Sequence, residues 1–447
     1  MKEDNWYLKI VRSILPSPFT IAILLTIVTF MLAWVMTSPI QSEGFYALEL
    51  LGYWQQGFWE LLAFTMQMVL ILILGHTLAL SGFFSGIIDR MTMYCNNTAN
   101  AAYIIAFVSI AFSLINWGLC LIVGAVFARK VAERALQNNI DINYPILAAA
   151  GYSGLMTWHG GFSGSAPLKV AESNHFLVEV IGQVPITETI LSEMNIVASV
   201  LVLMLIPLLL YFLGKRSKPT PITFIKSIQS THIDTVEGAE KLDNSKILAK
   251  SIGIVMVGYA LFSTFQTSNQ SPLSFIKLNY INFLLFGLGI IFHGTFNKFL
   301  SAISEAVQGA VGIIIQFPLY AGIMGIMKYS GLVIVFSNFF IQISNEVTFP
   351  IFTFISAAIV NTFVPSGGGQ WAVQGPIVCE AAKALNVPVS KSIMAMAYGD
   401  QLTNMLQPFW ALPLLGITQL KAKDILPYSF VVMIVGGIIF STILLLF

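Results

Sequence analysis

Runs of apolar residues long enough to cross a bilayer constrain this chain more than any other feature. A hydrocarbon core about 30 Å thick takes about 20 apolar residues per helical crossing. Such runs occur at 19–36, 58–80, 101–127, 146–168, 194–213, 247–265, 281–292, 306–327, 349–364, 371–385, 393–417 and 429–447. Several are short or interrupted by Gly, Pro, Asn and Ser, so not all are simple spans. Composition agrees: 10% of the 447 residues are charged, against about 25% in an average soluble domain. That excludes a cytosolic enzyme, a disordered scaffold and a nucleic-acid binder. A formal charge of +1 offers no field to attract a phosphate backbone, so nucleic acid is not an expected partner and the lipid bilayer is. Cys95, Cys120 and Cys379 are too few and too dispersed for a disulfide framework or a metal site. The expected fold class is an all-α, polytopic membrane protein with about nine transmembrane spans plus two re-entrant hairpins.

Charge sets the expected orientation. Lys2, Lys9 and Arg12 precede the first run, which lacks a small-residue cleavage site, so it reads as a first helix with a cytoplasmic N-terminus. Segment 214–250 holds Lys215, Arg216, Lys218, Lys226, Lys241, Lys246 and Lys250, and the positive-inside rule places it in the cytoplasm as a linker. The two sides of this linker match at a near-constant offset. Gln67, Ser81 and Gly82 correspond to Gln316, Ser330 and Gly331, each 249 positions later. Asn116 corresponds to Asn361, and Tyr152, Thr157 and Pro167 to Tyr398, Thr403 and Pro413. A duplicated architecture follows: residues 1–213 form a first inverted repeat and residues 251–447 an extra span plus a second one. Run 101–127 begins and ends beside cytoplasmic charge (Arg90 before it, Arg129, Lys130 and Arg134 after it), so it reads as a re-entrant hairpin. Its counterpart is 349–385, entering from outside with its apex at 364–370, and the matched broken helices are 146–168 and 393–417. Inverted repeats with interrupted helices at matching positions point to a secondary transporter. On this topology Phe447 lies outside the cell.

Irregular backbone at membrane depth must be buried in protein or line a cavity. Four such segments occur in two pairs. The hairpin apices are Asn116-Trp117-Gly118 and the stretch from Asn361 through Ser366, Gly367, Gly368, Gly369 and Gln370 to Trp371. The helix breaks run from Thr157 through His159, Gly161 and Ser163 to Ser165, and from Thr403 and Asn404 to Trp410. Half-helix N-termini present free N–H groups to a carboxylate, and Ser, Thr and Asn add hydroxyl and amide groups. The candidate substrate-binding set is therefore Asn116, Gly118, Thr157, Gly161, Ser163, Ser165, Asn361, Ser366, Gly367, Gly368, Gly369, Gln370, Thr403 and Asn404. No Lys or Arg lies inside the four segments, which suits a small monoanion better than a phosphate or a dianion. Gly160, Gly161 and Gly164 taken alone read as close-packing residues. Three glycines in a row after Pro365-Ser366 are costly in a helix and read as a flexible functional apex.

Ionisable residues inside spans are functional candidates. Asp400, one turn before the second break, is the candidate coupling site. His159 reads as a hydrogen-bonded structural group. Glu60 and His76 sit near the ends of one run and read as interfacial. Asn116 and Asn361 offer side-chain oxygens for Na⁺ at the two apices, with Ser163 and Thr403 beside them, whereas Asp400 suits a proton or a cation. No other cofactor is expected. Trp117, Trp158, Trp371 and Trp410 each fall in or beside a break and are placed to close off a cavity.

Residues 57–64, Ile115-Asn116-Trp117-Gly118, 157–165, 365–376 and 397–413 resemble the signature blocks of the short-chain fatty acid transporters, and the resemblance runs from about Leu15 to the C-terminus. It implies uptake of short-chain carboxylates such as acetoacetate or butyrate across the bacterial inner membrane. It also implies membership of the wider ion-transporter superfamily, with an elevator-like transport domain and a homodimeric scaffold. The expected activity is cation-coupled carboxylate symport. The alternative within the superfamily is a cation/proton antiporter, which would rely on intramembrane carboxylates, of which only Asp400 is well placed. No enzyme motif is present: there is no nucleophile elbow and no HExxH.

Overall fold

The computed structural model describes residues 17–39, 45–173, 175, 177–222, 238–267 and 278–447. Lys2, Lys9, Arg12 and the linker residue Lys226 lie outside the described residues. Every regular element among the described residues is helical, as a bilayer demands of a chain that is not a closed barrel. The first half contains α1 (Pro18–Met36), α2 (Tyr46–Glu60), α3 (Leu62–Leu80), α4 (Gly82–Thr92), α5 (Thr98–Ile115), α6 (Trp117–Gln137), α7 (Tyr144–Tyr152), α8 (Ser165–Val170), α9 (Val178–Ile181) and α10 (Glu193–Arg216). The second half contains α11 (Lys246–Thr267), α12 (Leu278–His293), α13 (Phe296–Ala306), α14 (Val311–Tyr329), α15 (Leu332–Gln342), α16 (Phe349–Phe363), α17 (Gly367–Ala384), α18 (Val389–Thr403), α19 (Pro408–Thr418) and α20 (Ala422–Leu446). Among the described residues, seven helical stretches are long and apolar enough to cross a membrane, and three shorter apolar helices join them. The chain is a multi-pass membrane protein.

Burial separates core helices from peripheral ones. Only 17% of the spanning windows of α1 and α11 is buried, so these helices turn large side chains such as Trp34 and Tyr259 to lipid. The window in α14 is 61% buried. Helix α14 crosses α2 where Gly57 and Gly325 touch backbone to backbone: a Cβ on Gly57 would lie 2.5 Å from the Gly325 Cα. Small residues at such crossings let helices approach without an apolar driving force between them.

The sequence places His76 at an exposed span end, and the structure does not. His76 is buried, because α3 is packed among α6, α12, α13 and α14. Glu60 remains half-accessible and pairs with Lys328 Nζ at 3.2 Å.

Several helix starts are capped by side chains of the preceding residue, which satisfy N–H groups that have no intrahelical acceptor. Asn97 caps α5, Asn143 caps α7, Ser192 caps α10 and Ser366 caps α17. At Asn116 one residue ends α5 and starts α6, and its Oδ1 accepts the N–H groups of Gly118 (2.9 Å) and Leu119 (3.0 Å). The corresponding interruption between α16 and α17 spans residues 364–366. The two other interruptions are looser. After α7 come 3₁₀ turns at Ser153–Met156 and Trp158–Gly160, and between α18 and α19 a 3₁₀ turn at Asn404–Leu406.

Here the structure corrects one expectation. Gly367, Gly368 and Gly369 are not a loose apex; they form the first turn of α17, and none has a positive φ. The first turn is where glycine costs a helix least. Ser366 Oγ accepts the Gly369 N–H there at 3.2 Å.

Candidate functional site

The four interruptions meet inside the protein. In the first half, α5–α6 is stitched to the first break by short bonds. Ser163 Oγ accepts the Trp117 N–H (3.0 Å), the Phe162 N–H donates to the Leu114 carbonyl (2.8 Å), and Thr157 Oγ1 donates to the Ile110 carbonyl (3.4 Å). Gly161 lies against Leu114, whose carbonyl would stand 2.7 Å from a Cβ there. Asn116, Gly118, Thr157, Gly161 and Ser163 are thus brought together, but the Asn116 amide oxygen and the Thr157 and Ser163 hydroxyls already bond within this half.

The second half differs. Asn361 Nδ2 donates toward three oxygens: the Asp400 carbonyl (2.6 Å), Thr403 Oγ1 (3.0 Å) and Asn404 Oδ1 (2.8 Å). Thr403 Oγ1 donates to the Ala358 carbonyl at 3.0 Å. Gln407 Nε2 donates to the Asn361 carbonyl. Gln370 Nε2 reaches the Ala357 carbonyl (3.0 Å) and Gln374 Oε1 (2.8 Å), which holds α17 against α16. Yet Asn361 Oδ1, Gln370 Oε1, Asp400 Oδ2, Asn404 Nδ2 and Gln407 Oε1 are all buried without a hydrogen-bond partner. Buried polar atoms are rarely left so. Unmet polar capacity in this group of candidates is therefore concentrated in the second half, and the two apex asparagines are not equivalent.

Cross-links join the halves. His159 Nδ1 lies 3.0 Å from Asp400 Oδ1, and the His159 N–H donates to Gln401 Oε1 at 3.0 Å. His159 Nε2 accepts the Ala166 N–H at 3.1 Å. Tyr152 OH donates to the carbonyls of Asn404 and Gln407, and Tyr398 OH to Asn195 Oδ1. Three tryptophans close the junction. Trp117 meets Trp158 edge-on at 6.3 Å and Trp410 at 5.0 Å, and Trp158 stacks on His159 at 4.4 Å. Trp371 sits apart, buried against Gly375.

The start of α17 faces this cluster. A Cβ on Gly367 would lie 2.7 Å from Trp158 Cη2, 2.9 Å from His159 Cε1 and 3.3 Å from Ser165 Oγ. Gly368 is open, with only Ser165 Oγ within 4 Å at 3.9 Å. As the first residues of an 18-residue helix, Gly367 and Gly368 have N–H groups with no intrahelical acceptor. Helix dipole, bare backbone and the Ser165 hydroxyl converge at one place, and the Trp158 Nε1 donor nearby in the chain is buried without a partner. That arrangement suits a small carboxylate.

The sequence-derived candidates do not include His159, Gln407 or Tyr152, which the structure brings to this junction, with His159 hydrogen-bonded as expected. Only their membership of an interrupted segment marked the first two. Among the described residues no cluster of His, Cys, Asp and Glu of metal-binding composition occurs.

A family model described as "Short chain fatty acid transporter" matches residues 4–447. A relative from Escherichia coli (strain K12), described as a short-chain fatty acid transporter, is 37% identical over 97% of this chain and 96% of its own. A second, of the same description from Haemophilus influenzae, is 36% identical over 96% of both chains. Among solved structures, the Alcanivorax borkumensis YdaH transporter aligns with 96% of this chain and 98% of its own, at 14% identity and a TM-score of 0.39. Neisseria gonorrhoeae MtrF, described within a class of antimetabolite efflux pumps, aligns over 97% of both chains at 15% identity and a TM-score of 0.39.

Proposed function

The chain belongs to the short-chain fatty acid transporter family, and from that membership we propose that it carries short-chain monocarboxylates such as acetoacetate or butyrate inward across a bacterial inner membrane, coupled to a cation. The observation that carries the reading is the start of α17 at Gly367 and Gly368, facing Ser165 and Trp158 with no Lys or Arg in any of the four interrupted segments. A monoanion held by backbone dipoles and neutral side chains needs no counter-cation of its own. A dianion or phosphate would find too little positive charge. Ser165, Ser366 and Gly367–Gly369 are the proposed substrate-facing residues, with Gln370, Asn361, Thr403 and Asn404 forming the polar wall behind them.

Coupling follows from energetics. Each elementary charge moved against the membrane potential costs about 2.3 kcal/mol per 100 mV, so an anion entering alone is driven out by an inside-negative potential. A co-transported cation removes that cost. Asp400 is the intramembrane carboxylate available to receive it. The two halves are proposed to be inverted repeats that rock or slide about this site as an elevator, in a homodimer.

The deciding measurement is uptake of labelled acetoacetate and butyrate into proteoliposomes under imposed ion gradients. Gradient-dependent accumulation is expected. A protein that exchanges Na⁺ for H⁺ without organic anion, and takes up no monocarboxylate, is an antiporter instead.

Orientation is tested by cysteine labelling from each face. Segment 214–250 is expected to label from the cytoplasm and position 447 from outside. The native thiols do not interfere: Cys95, Cys120 and Cys379 are buried, and burial lifts the Cys95 thiol to about 12, far above labelling pH. A cytoplasmic residue 447 contradicts the inverted topology.

A further inference from the structure

The His159–Asp400 contact joins the first break to the helix preceding the second, across 241 residues of sequence. Both side chains are sealed, at 0% and 1% exposure. The imidazole's protonation is set by its neighbours. A backbone N–H only donates, and the Ala166 N–H points at Nε2. Nε2 is therefore the lone-pair nitrogen, Nδ1 carries the hydrogen, and the neutral ring donates to Asp400 Oδ1. With Asp400 ionised the pair carries one negative charge. Its other oxygen, Oδ2, has no partner.

Among the described residues, the elements packed around the pair place no Lys or Arg in hydrogen-bonding contact with the Asp400 carboxylate. Packed against α18 are α8, α16, α17, α20 and the 3₁₀ turns at Ser153–Met156, Trp158–Gly160 and Asn404–Leu406. Helix α16 and the first and last of these turns carry no titratable side chain. Helix α8 brings Lys169, which pairs with Glu172 at 2.5 Å and is 44% exposed. Helix α17 brings Cys379, Glu380 and Lys383, all in its C-terminal half, and Lys383 Nζ bonds to the Val180 carbonyl. Helix α20 brings Lys423 and Asp424 in its first turn, and Tyr428. On α18 itself, Lys391 lies more than two turns away, and Tyr398 bonds to Asn195. Of these groups only His159 bonds to the Asp400 carboxylate.

One ring then separates two places that both attract charge. His159 Cε1 abuts Gly367 at the start of α17, and Nδ1 holds Asp400. A carboxylate at α17 and an ionised Asp400 would be two anions flanking one imidazole in a water-poor interior, where like charges repel strongly.

We propose that the His159–Asp400 pair is the coupling site for a single proton, which binds at Asp400 Oδ2 and not on the imidazole, and that loading it allows the monocarboxylate to bind at α17. The proton converts the carboxylate to a carboxylic acid on the outer face and is released to the cytoplasm after the substrate leaves. One proton and one monoanion move together, so the cycle is electroneutral. His159 is a positioning residue, holding Oδ1 and leaving Oδ2 as the unpartnered oxygen of the carboxylate. This deepens the carboxylate-transport reading and rests on it.

The test uses acetoacetate uptake and counterflow in proteoliposomes, with the potential clamped by valinomycin and K⁺. Wild-type uptake is expected to follow an inward pH gradient, to be indifferent to Na⁺ and to the potential, and to show an apparent KM that rises about tenfold per pH unit where Asp400 is ionised. Asp400→Asn keeps counterflow and loses both the pH-driven accumulation and the pH dependence of KM. His159→Gln, whose amide can donate to Asp400 and accept from Ala166, keeps the pH dependence. Loss of that dependence in His159→Gln with its retention in Asp400→Asn would put the proton on the ring and overturn the assignment. Potential-driven or Na⁺-driven uptake overturns it too. If no carboxylate is transported by wild type, the transport reading fails by itself. Proton uptake by the purified protein in weakly buffered detergent then decides the site: wild type is expected to bind one proton per chain more than Asp400→Asn, and equal uptake refutes the assignment.

Discussion

Gly367→Val is expected to cut uptake by about a hundredfold or more while leaving the protein folded and inserted. The reason is local and steric. A Cβ at 367 would stand 2.7 Å from Trp158 Cη2 and 2.9 Å from His159 Cε1. Trp158 and His159 are both buried, with rings stacked on each other, and His159 is further held by Ala166 and Asp400. Neither ring can yield, so the first turn of α17 must move away. A displacement of about 1 Å at a binding centre is enough for a loss of about 10². Gly368→Ala makes the contrast, because the only atom within 4 Å of its Cβ is Ser165 Oγ at 3.9 Å. It is expected to keep most of the uptake. The comparison needs equal amounts of inserted protein, checked by size-exclusion profile. Wild-type transport by Gly367→Val would show that α17 does not present its N-terminus to substrate.

Asn361→Ala and Asn116→Ala should diverge sharply, because Asn116 sits at the junction of α5 and α6 whereas Asn361 lies within α16. Asn361 Nδ2 lies within bonding distance of the Asp400 carbonyl, Thr403 Oγ1 and Asn404 Oδ1, and its two hydrogens serve at most two of them, so its loss removes a donor shared by the buried Asp400 carbonyl and Asn404 Oδ1. Each oxygen left unmet costs about 1–3 kcal/mol. The variant is expected to lose transport and a large part of its thermal stability. Asn116 accepts two N–H groups as the cap of α6, a role worth about 0.5–2 kcal/mol that Ser or Asp also fills. Asn116→Ser is therefore expected to transport almost normally, and Asn116→Ala to show only a modest loss of stability. Equal, severe loss of transport in Asn361→Ala and Asn116→Ser, with stability retained, would instead mean that both side chains touch the transported species.

Much of this protein is legible before folding is considered, because the bilayer imposes rules that act on short stretches of chain. Apolar length marks spans, and Gly, Pro, Asn and Ser inside an apolar run mark places where a helix must stop. Hence Asn116, the stretch before Gly367, and the breaks near His159 and Asn404 stand out in the sequence, each at an end of a helix or 3₁₀ turn. Residue chemistry within those stretches likewise points to Ser165, Thr403 and Asp400 as candidates.

What each candidate does is a different matter, because it depends on distances between segments far apart in the chain. Nothing local distinguishes Asn116 from Asn361, yet one spends its oxygen on a helix cap and the other turns its nitrogen to three acceptors. Three consecutive glycines look interchangeable, yet only Gly367 abuts the Trp158 and His159 rings. His76 near a span end looks wet, yet neighbouring helices bury it. His159 reads as a lone histidine until tertiary packing brings Asp400 to 3.0 Å from its ring. Hydropathy and helix-breaking chemistry are properties of a segment, so the sequence alone determines them. Hydrogen-bond partnership and close contact are properties of pairs, and only the packed structure decides which pairs exist.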